Sequence, residues 1–173
     1  MFRGGLNRSA FLGLMAGLLM TGSVTFSGVN SQLPKEPVKW SIQAELPGSP
    51  LKPGDRFLVH LTAKIEDGWH LYSLEQEEGG PVPTRITVPA GQPFAQDGAI
   101  SSAEPKSAMD PNFNLLTQYY EEEATFTVPV KVVANAPAGN PEVIISVGFQ
   151  TCSDQLCLPP RTVKLGAAVT IAR

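Results

Sequence analysis

Apolar and polar residues alternate with a period of two along most of this chain. In "VKWSIQAEL", Val38, Trp40, Ile42, Ala44 and Leu46 fall on one face, and in "RFLVHLTAKI" Phe57, Val59, Leu61, Ala63 and Ile65 do the same. "ATFTVPVKVV" aligns Phe126, Val128, Val130 and Val132, and "EVIISVGF" aligns Val143, Ile145, Val147 and Phe149. A last segment, "RTVKLGAAVTI", carries Val163, Leu165, Val169 and Ile171, with Gly166 expected to break its regularity. Such alternation predicts strands that bury one face. "WHLYSL" and "TRITVP" are shorter candidates. Turn-rich joints such as "PGSPLKPGD" and "NAPAGNP" separate the runs, and 16 Gly with 16 Pro leave little room for long helices. Pro129 stands inside a good strand pattern, which predicts an edge strand or a bulge there. Seven or more short strands at this spacing predict an all-β, immunoglobulin-like, two-sheet antiparallel sandwich. The least regular section, Gly79 to Asn114, is long for a structureless stretch and is expected to be a functional loop.

The N-terminus follows another pattern. Arg3 and Arg8 precede an apolar run, Ala10 to Met20, and small and polar residues follow in "TGSVTFSG". This is the layout of a cleavable secretory signal, too short to span a membrane. The expected division is therefore a signal peptide over residues 1–27, cut between Ser23 and Val29, and one domain over 28–173. Losing Arg3 and Arg8 moves the net charge from −3 to −5, which argues against nucleic acid as a partner. No later segment approaches the ~20 apolar residues of a spanning helix, so the mature chain is expected to be soluble after export.

Export changes how the two cysteines read. Cys152 and Cys157 are the chain's entire complement, in "VGFQTCSDQLCLPP". Outside the cytoplasm such neighbouring thiols close into a disulfide unless something reduces them. They fall between the strands "EVIISVGF" and "RTVKL", so they bracket a hairpin turn at one end of the sandwich. As a staple the bond is weak. Closing about six residues restrains the unfolded chain by roughly 2 kcal/mol, against ~3 kcal/mol for fifteen. As a redox centre the pair has close thiols between two fixed strands, one to attack a disulfide and one to resolve the mixed intermediate. Spacing alone leaves staple and redox centre open. A metal site using His70 or His60 is a third option with a poor ligand set. No Lys, Arg or His lies near the pair in the local sequence, and Asp154 opposes thiolate formation. A thiol that is slow in isolation is expected, activated when a partner docks.

Four segments in register carry a resemblance. "FQTCSDQLCLPPRTVKL" resembles the active-site hairpin of the N-terminal periplasmic domain of DsbD, the thiol:disulfide interchange protein. "DGWHLYSL" resembles that family's Asp-Gly-aromatic-aromatic-Leu-Tyr strand, with His70 where an aromatic often stands. "GGPVPTRITVP" and "EEEATFTVPVKV" resemble its Gly-Pro-x-Pro-Thr segment and its strand ending in Pro-Val. The resemblance spans about residues 36–170. It implies an immunoglobulin-like domain that receives electrons from a thioredoxin-like partner and passes them to oxidised periplasmic proteins, with no metal or organic cofactor. It implies Cys152 and Cys157 as the redox pair, with Cys157 as the partner-bonding thiol. It also implies an aromatic cap, which here best matches "MDPNFN", with Phe113 as the lid and Asp110 beside it. His70 and Tyr72 would line the same site, whereas Trp69 is expected to be ordinary strand packing. Full-length DsbD continues into a membrane domain and a thioredoxin-like domain, but this chain stops at Arg173. A separate membrane electron-transfer protein is then the expected donor, and a monomer the expected state. The rival from another class is a non-catalytic binding or structural module whose hairpin the disulfide staples.

Overall fold

The computed structural model describes residues 35–172, so the expected signal peptide lies outside the described residues. Twelve strands follow in chain order: β1 (Val38–Glu45), β2 (Arg56–Ile65), β3 (His70–Tyr72), β4 (Arg85–Thr87), β5 (Phe94–Gln96), β6 (Ser101–Ser102), β7 (Lys106–Asp110), β8 (Leu115–Tyr120), β9 (Glu123–Val132), β10 (Glu142–Phe149), β11 (Thr151–Cys152) and β12 (Arg161–Ala168). Every strand pairing is antiparallel. One layer of the sandwich is the sheet β1-β2-β9-β5, with β6 also paired to β9. The facing layer comprises β12-β10-β4 and β11-β3-β8-β7. A backbone hydrogen bond from Thr84 N–H to the Ser73 carbonyl links the lead-in to β4 with the residue after β3. The fold is an immunoglobulin-like sandwich, as the strand pattern predicts.

The period-two faces become the core. Val59, Leu61, Val128, Val130, Val143, Ile145 and Val147 are fully buried. The rings of Trp40 and Phe149 lie 5.4 Å apart and those of Tyr120 and Phe126 5.6 Å apart, which ties the two layers together.

Three local expectations are corrected. Pro129 does not lie on an edge strand: β9 runs between β2 on one side and the split pair β5 and β6 on the other. The Pro129 carbonyl accepts from Asp97 N–H, in the break between β5 and β6. Its missing N–H points to the same side and so falls where no strand needs a donor. Gly166 does not interrupt β12, where it pairs with Ile144. A Cβ there would stand 2.9 Å from a Glu142 carboxylate oxygen and 3.1 Å from the Ile144 side chain, so the position is closely packed against its neighbour strand. The section from Gly79 to Asn114 is not structureless. It holds β4, β5, β6 and β7, strands of two to five residues that are too short to show a period.

Candidate functional site: a disulfide beside a hairpin tip

β10 and β12 form a hairpin, with Phe149 opposite Arg161, and the cysteines lie in the connection between them. That connection does not simply turn back. β11 crosses to the other sheet of its layer and pairs with β3, placing Thr151 opposite Leu71 and Cys152 opposite His70. Cys152 and Cys157 form a disulfide with Cα atoms 4.0 Å apart. The turn between them is closed independently of the bond. Ser153 N–H donates to the Leu156 carbonyl at 2.8 Å, and Leu158 N–H donates to the Thr151 carbonyl at 2.9 Å. The Ser153 hydroxyl also accepts from the N–H of Leu156 at 3.1 Å, a serine turn. Cys152 is fully buried, whereas Cys157 is partly exposed. The two cysteines therefore differ in exposure.

Beside the disulfide, β7 and β8 form a second hairpin whose tip is Pro111, Asn112, Phe113 and Asn114. Asp110 builds the turn: its carboxylate accepts from Asn112 N–H at 2.8 Å and its carbonyl from Asn114 N–H at 2.8 Å. Asn114 adopts a left-handed backbone with φ of 53°, a conformation that asparagine tolerates better than most residues. The Asn112 side-chain amide donates to the Ser153 carbonyl at 3.0 Å, which fastens this tip to the cysteine turn. The Phe113 ring, half-buried, stands edge-on to Tyr72 with centroids 6.0 Å apart.

Beneath the tip lies a buried polar chain. The Tyr72 hydroxyl donates to Asp110 Oδ2 at 2.6 Å, and His70 Nε2 stands 3.1 Å from the Tyr72 oxygen and 3.6 Å from Asp110 Oδ2. Because the hydroxyl hydrogen is used on Asp110, the Tyr72 oxygen accepts, so His70 carries its hydrogen on Nε2. Burial holds His70 below its ordinary pKa, against the opposing pull of Asp110, Asp154 and Glu121. Burial would raise the Asp110 carboxyl, but hydrogen bonds from Tyr72 and Asn112 outweigh it and hold it below the ordinary carboxylate range. Burial and the Asp110 carboxylate push the Tyr72 hydroxyl far upward, so it stays a donor at every physiological pH.

His70, Tyr72, Asp110 and Phe113, named from sequence, thus meet in one cluster, and β11 brings Cys152 to its edge. Trp69 is half-buried and packs against the core. His60 is engaged elsewhere, on β2, with Glu45 at 2.7 Å and Thr127 at 3.2 Å. Among the described residues no group of three His, Cys, Asp or Glu side chains is arranged for a metal ion.

Three features were not legible in the residues. Local sequence offers no basic group beside the cysteines, yet His70 stands directly across the ladder from Cys152. Asn112 is the fastening of the tip, and Tyr119 packs on the His70 ring at 5.1 Å. Only strand register places them, and no local spacing signals it.

Comparison with known proteins adds a lineage. Residues 42–167 match the family described as thiol:disulfide interchange protein DsbD, N-terminal. Among solved structures, the N-terminal periplasmic domain of ScsB from Proteus mirabilis superposes with a TM-score of 0.52 at 19% identity, covering 78% of this chain and 48% of that one. The chain thus spans about half the length of that structure. BcpA, the major pilin subunit of Bacillus cereus, gives a TM-score of 0.39 at 10% identity, covering 77% of this chain and 40% of that one, a likeness too loose to bear on function. Comparison with curated proteins yields no match.

Proposed function

This chain belongs to the family of the N-terminal domain of the thiol:disulfide interchange protein DsbD, and on that premise we propose that it passes reducing equivalents through Cys152 and Cys157. Electrons come from a thioredoxin-like domain of a membrane electron-transfer protein and leave to oxidised proteins of the periplasm. The proposed chain is an exported, monomeric carrier. Among the described residues no helix is long and apolar enough to cross a membrane.

One observation carries the reading: the disulfide closes a turn that backbone hydrogen bonds already close. A bond with so little to stabilise is a poor staple and a good exchange centre, since its opening leaves the turn in place. Unequal access supports the division of labour. The partly exposed Cys157 is the sulfur that an incoming thiolate reaches, and the buried Cys152 is the resolving thiol. The tip carrying Phe113 is proposed as a cap, held by Asn112 until a partner displaces it.

Single-cysteine variants test this. With Cys152→Ser, mixed disulfides between Cys157 and thioredoxin-like or periplasmic proteins are expected to accumulate and to be identifiable by mass spectrometry. Trapping by Cys157→Ser alone would reverse the assignment. Trapping by neither variant would remove exchange and leave the stapled module.

A further inference from the structure

We propose that His70 is the general base for Cys152, taking the proton that this thiol must lose when it closes the disulfide. The inference rests on the exchange reading above and adds a residue to it, at a position where the resemblance expects an aromatic.

Cys152 and His70 are directly opposite on antiparallel strands. Such partners project to the same face with Cβ atoms about 4.5–5.5 Å apart. Sγ lies one bond beyond its Cβ and Nδ1 two bonds beyond its own, so the register leaves the two side chains close enough for a freed Cys152 thiol to turn toward the imidazole. The tautomer is already set. Nε2 holds its hydrogen against the Tyr72 oxygen at 3.1 Å, which leaves the lone pair of neutral His70 on Nδ1, the nitrogen nearer the strand. A nucleophile, a base and a group that orients the base stand in sequence across three strands: Cys152 on β11, His70 and Tyr72 on β3, and Asp110 on β7.

The step balances. In the mixed disulfide, Cys157 Sγ is bonded to a sulfur of the oxidised partner protein and Cys152 is a thiol. His70 Nδ1 accepts the Cys152 proton, and Cys152 Sγ attacks Cys157 Sγ. The bond between Cys157 and the partner sulfur breaks, its electron pair leaves on that sulfur, and the partner thiolate takes up a proton. The domain is oxidised to its disulfide and the partner is reduced. The imidazolium that forms is countered by Asp110 at 3.6 Å, with Glu121 at the end of β8 and Asp154 on the cysteine turn as further carboxylates. Tyr119 covers its ring, and Lys106 on β7 is paired to Glu121 at 2.6 Å. His70 also lines a cavity of about 50 Å³ with Thr117, Tyr119, Glu121 and Asp154. That is room enough for a water, which gives the proton a way out. Held neutral by burial, the imidazole is in the accepting form at neutral pH.

The test mixes reduced protein with oxidised glutathione, quenches with acid and counts mixed and closed disulfides by mass from pH 5 to 9. In wild type the mixed disulfide should stay scarce, and the closing rate should level off near or below neutrality. His70→Gln keeps a donor for Tyr72 but no base. It should close about 10²-fold more slowly, accumulate the mixed species, and keep rising in rate until Cys152 itself ionises. His70→Phe, which restores an aromatic, should behave alike and serves if the glutamine variant does not fold, as judged by thermal unfolding. Closing rates and pH profiles equal to wild type in a folded variant would overturn the proposal, as would slowing confined to formation of the mixed disulfide. If the wild-type protein forms neither mixed nor closed disulfide, the exchange reading fails first, a result distinct from either of these.

Discussion

Phe126 and Tyr72 are both buried aromatic residues, yet they sit in regions held together in different ways. Phe126 belongs to β9, inside the β1-β2-β9 layer, and its ring neighbours are Trp40 at 5.9 Å and Tyr120 at 5.6 Å. Its stability comes from apolar area, which is non-directional and shared over many contacts. Tyr72 belongs to β3, and its neighbours are His70, Asp110 and Phe113. Two of them are titratable, and two come from one short hairpin and its tip. A buried polar chain depends on each partner being present, because a group left unsatisfied pays its full desolvation cost. The first region is a scaffold that gains nothing by moving. The second is held by a short chain of directional hydrogen bonds and one ring contact.

The largest effect should come from the scaffold. Phe126→Ala is expected to lose about 3–5 kcal/mol in denaturant unfolding, the usual cost of emptying a large buried site. A loss well under 2 kcal/mol would mean that the two regions differ less than their contacts indicate.

The polar region should respond less to deletion and more to pH. Tyr72→Phe removes the donor to Asp110 and is expected to cost about 1–3 kcal/mol. His70 is depressed in the fold, so it contributes stability above its unfolded value of about 6.5 that is lost as pH falls below it. Asp110 is likewise depressed and contributes stability above about 3.9 that is lost in acid. Unfolding midpoints measured from pH 8 to 3 should therefore fall in two steps. Tyr72→Phe should shrink the acid step, and His70→Gln should abolish the one below 6.5. A single step in wild type would show that the buried chain is not titrating as a unit of the folded state.

Reduction of the disulfide should matter less again. About 2 kcal/mol is the ceiling for a loop of six residues. At some 2–8 °C per kcal/mol, the melting temperature should drop by less than about 15 °C. A larger drop would make the bond structural and move this end of the molecule into the scaffold class.

The smallest change in stability and the clearest change in kinetics are expected at the cap. Phe113→Ala should leave the unfolding midpoint near wild type. It should speed both reduction of the disulfide by dithiothreitol and alkylation of the reduced thiols. Asn112→Ala removes one exposed hydrogen bond to Ser153, worth about 0.5–1.5 kcal/mol, so its acceleration should not exceed about tenfold. Equal second-order rates for wild type and Phe113→Ala would show that the ring does not cover the pair. A collapse in stability would assign Phe113 to the core.

The sequence by itself determined the long strands, the sandwich they make and the segments that carry the family likeness. Period-two alternation over eight or ten residues, as in β1, β2, β9 and β10, is a local property that survives any choice of neighbours. The pairing of Cys152 with Cys157 was legible for the same reason, since five positions of separation suffice. The resemblance named His70, Tyr72, Asp110 and Phe113 for the site, but tertiary structure alone decided how they stand beside that pair. Strands of two or three residues carry no period, so neither the crossing of β11 nor its register against β3 could be read from the chain. That register sets Cys152 against a histidine eighty-two positions earlier in sequence, and it sets Pro129 at a gap where its missing donor costs nothing. Cross-strand register is a long-range quantity, fixed by which hydrophobic faces close on one another, and the chemistry at the end of this sandwich depends on it.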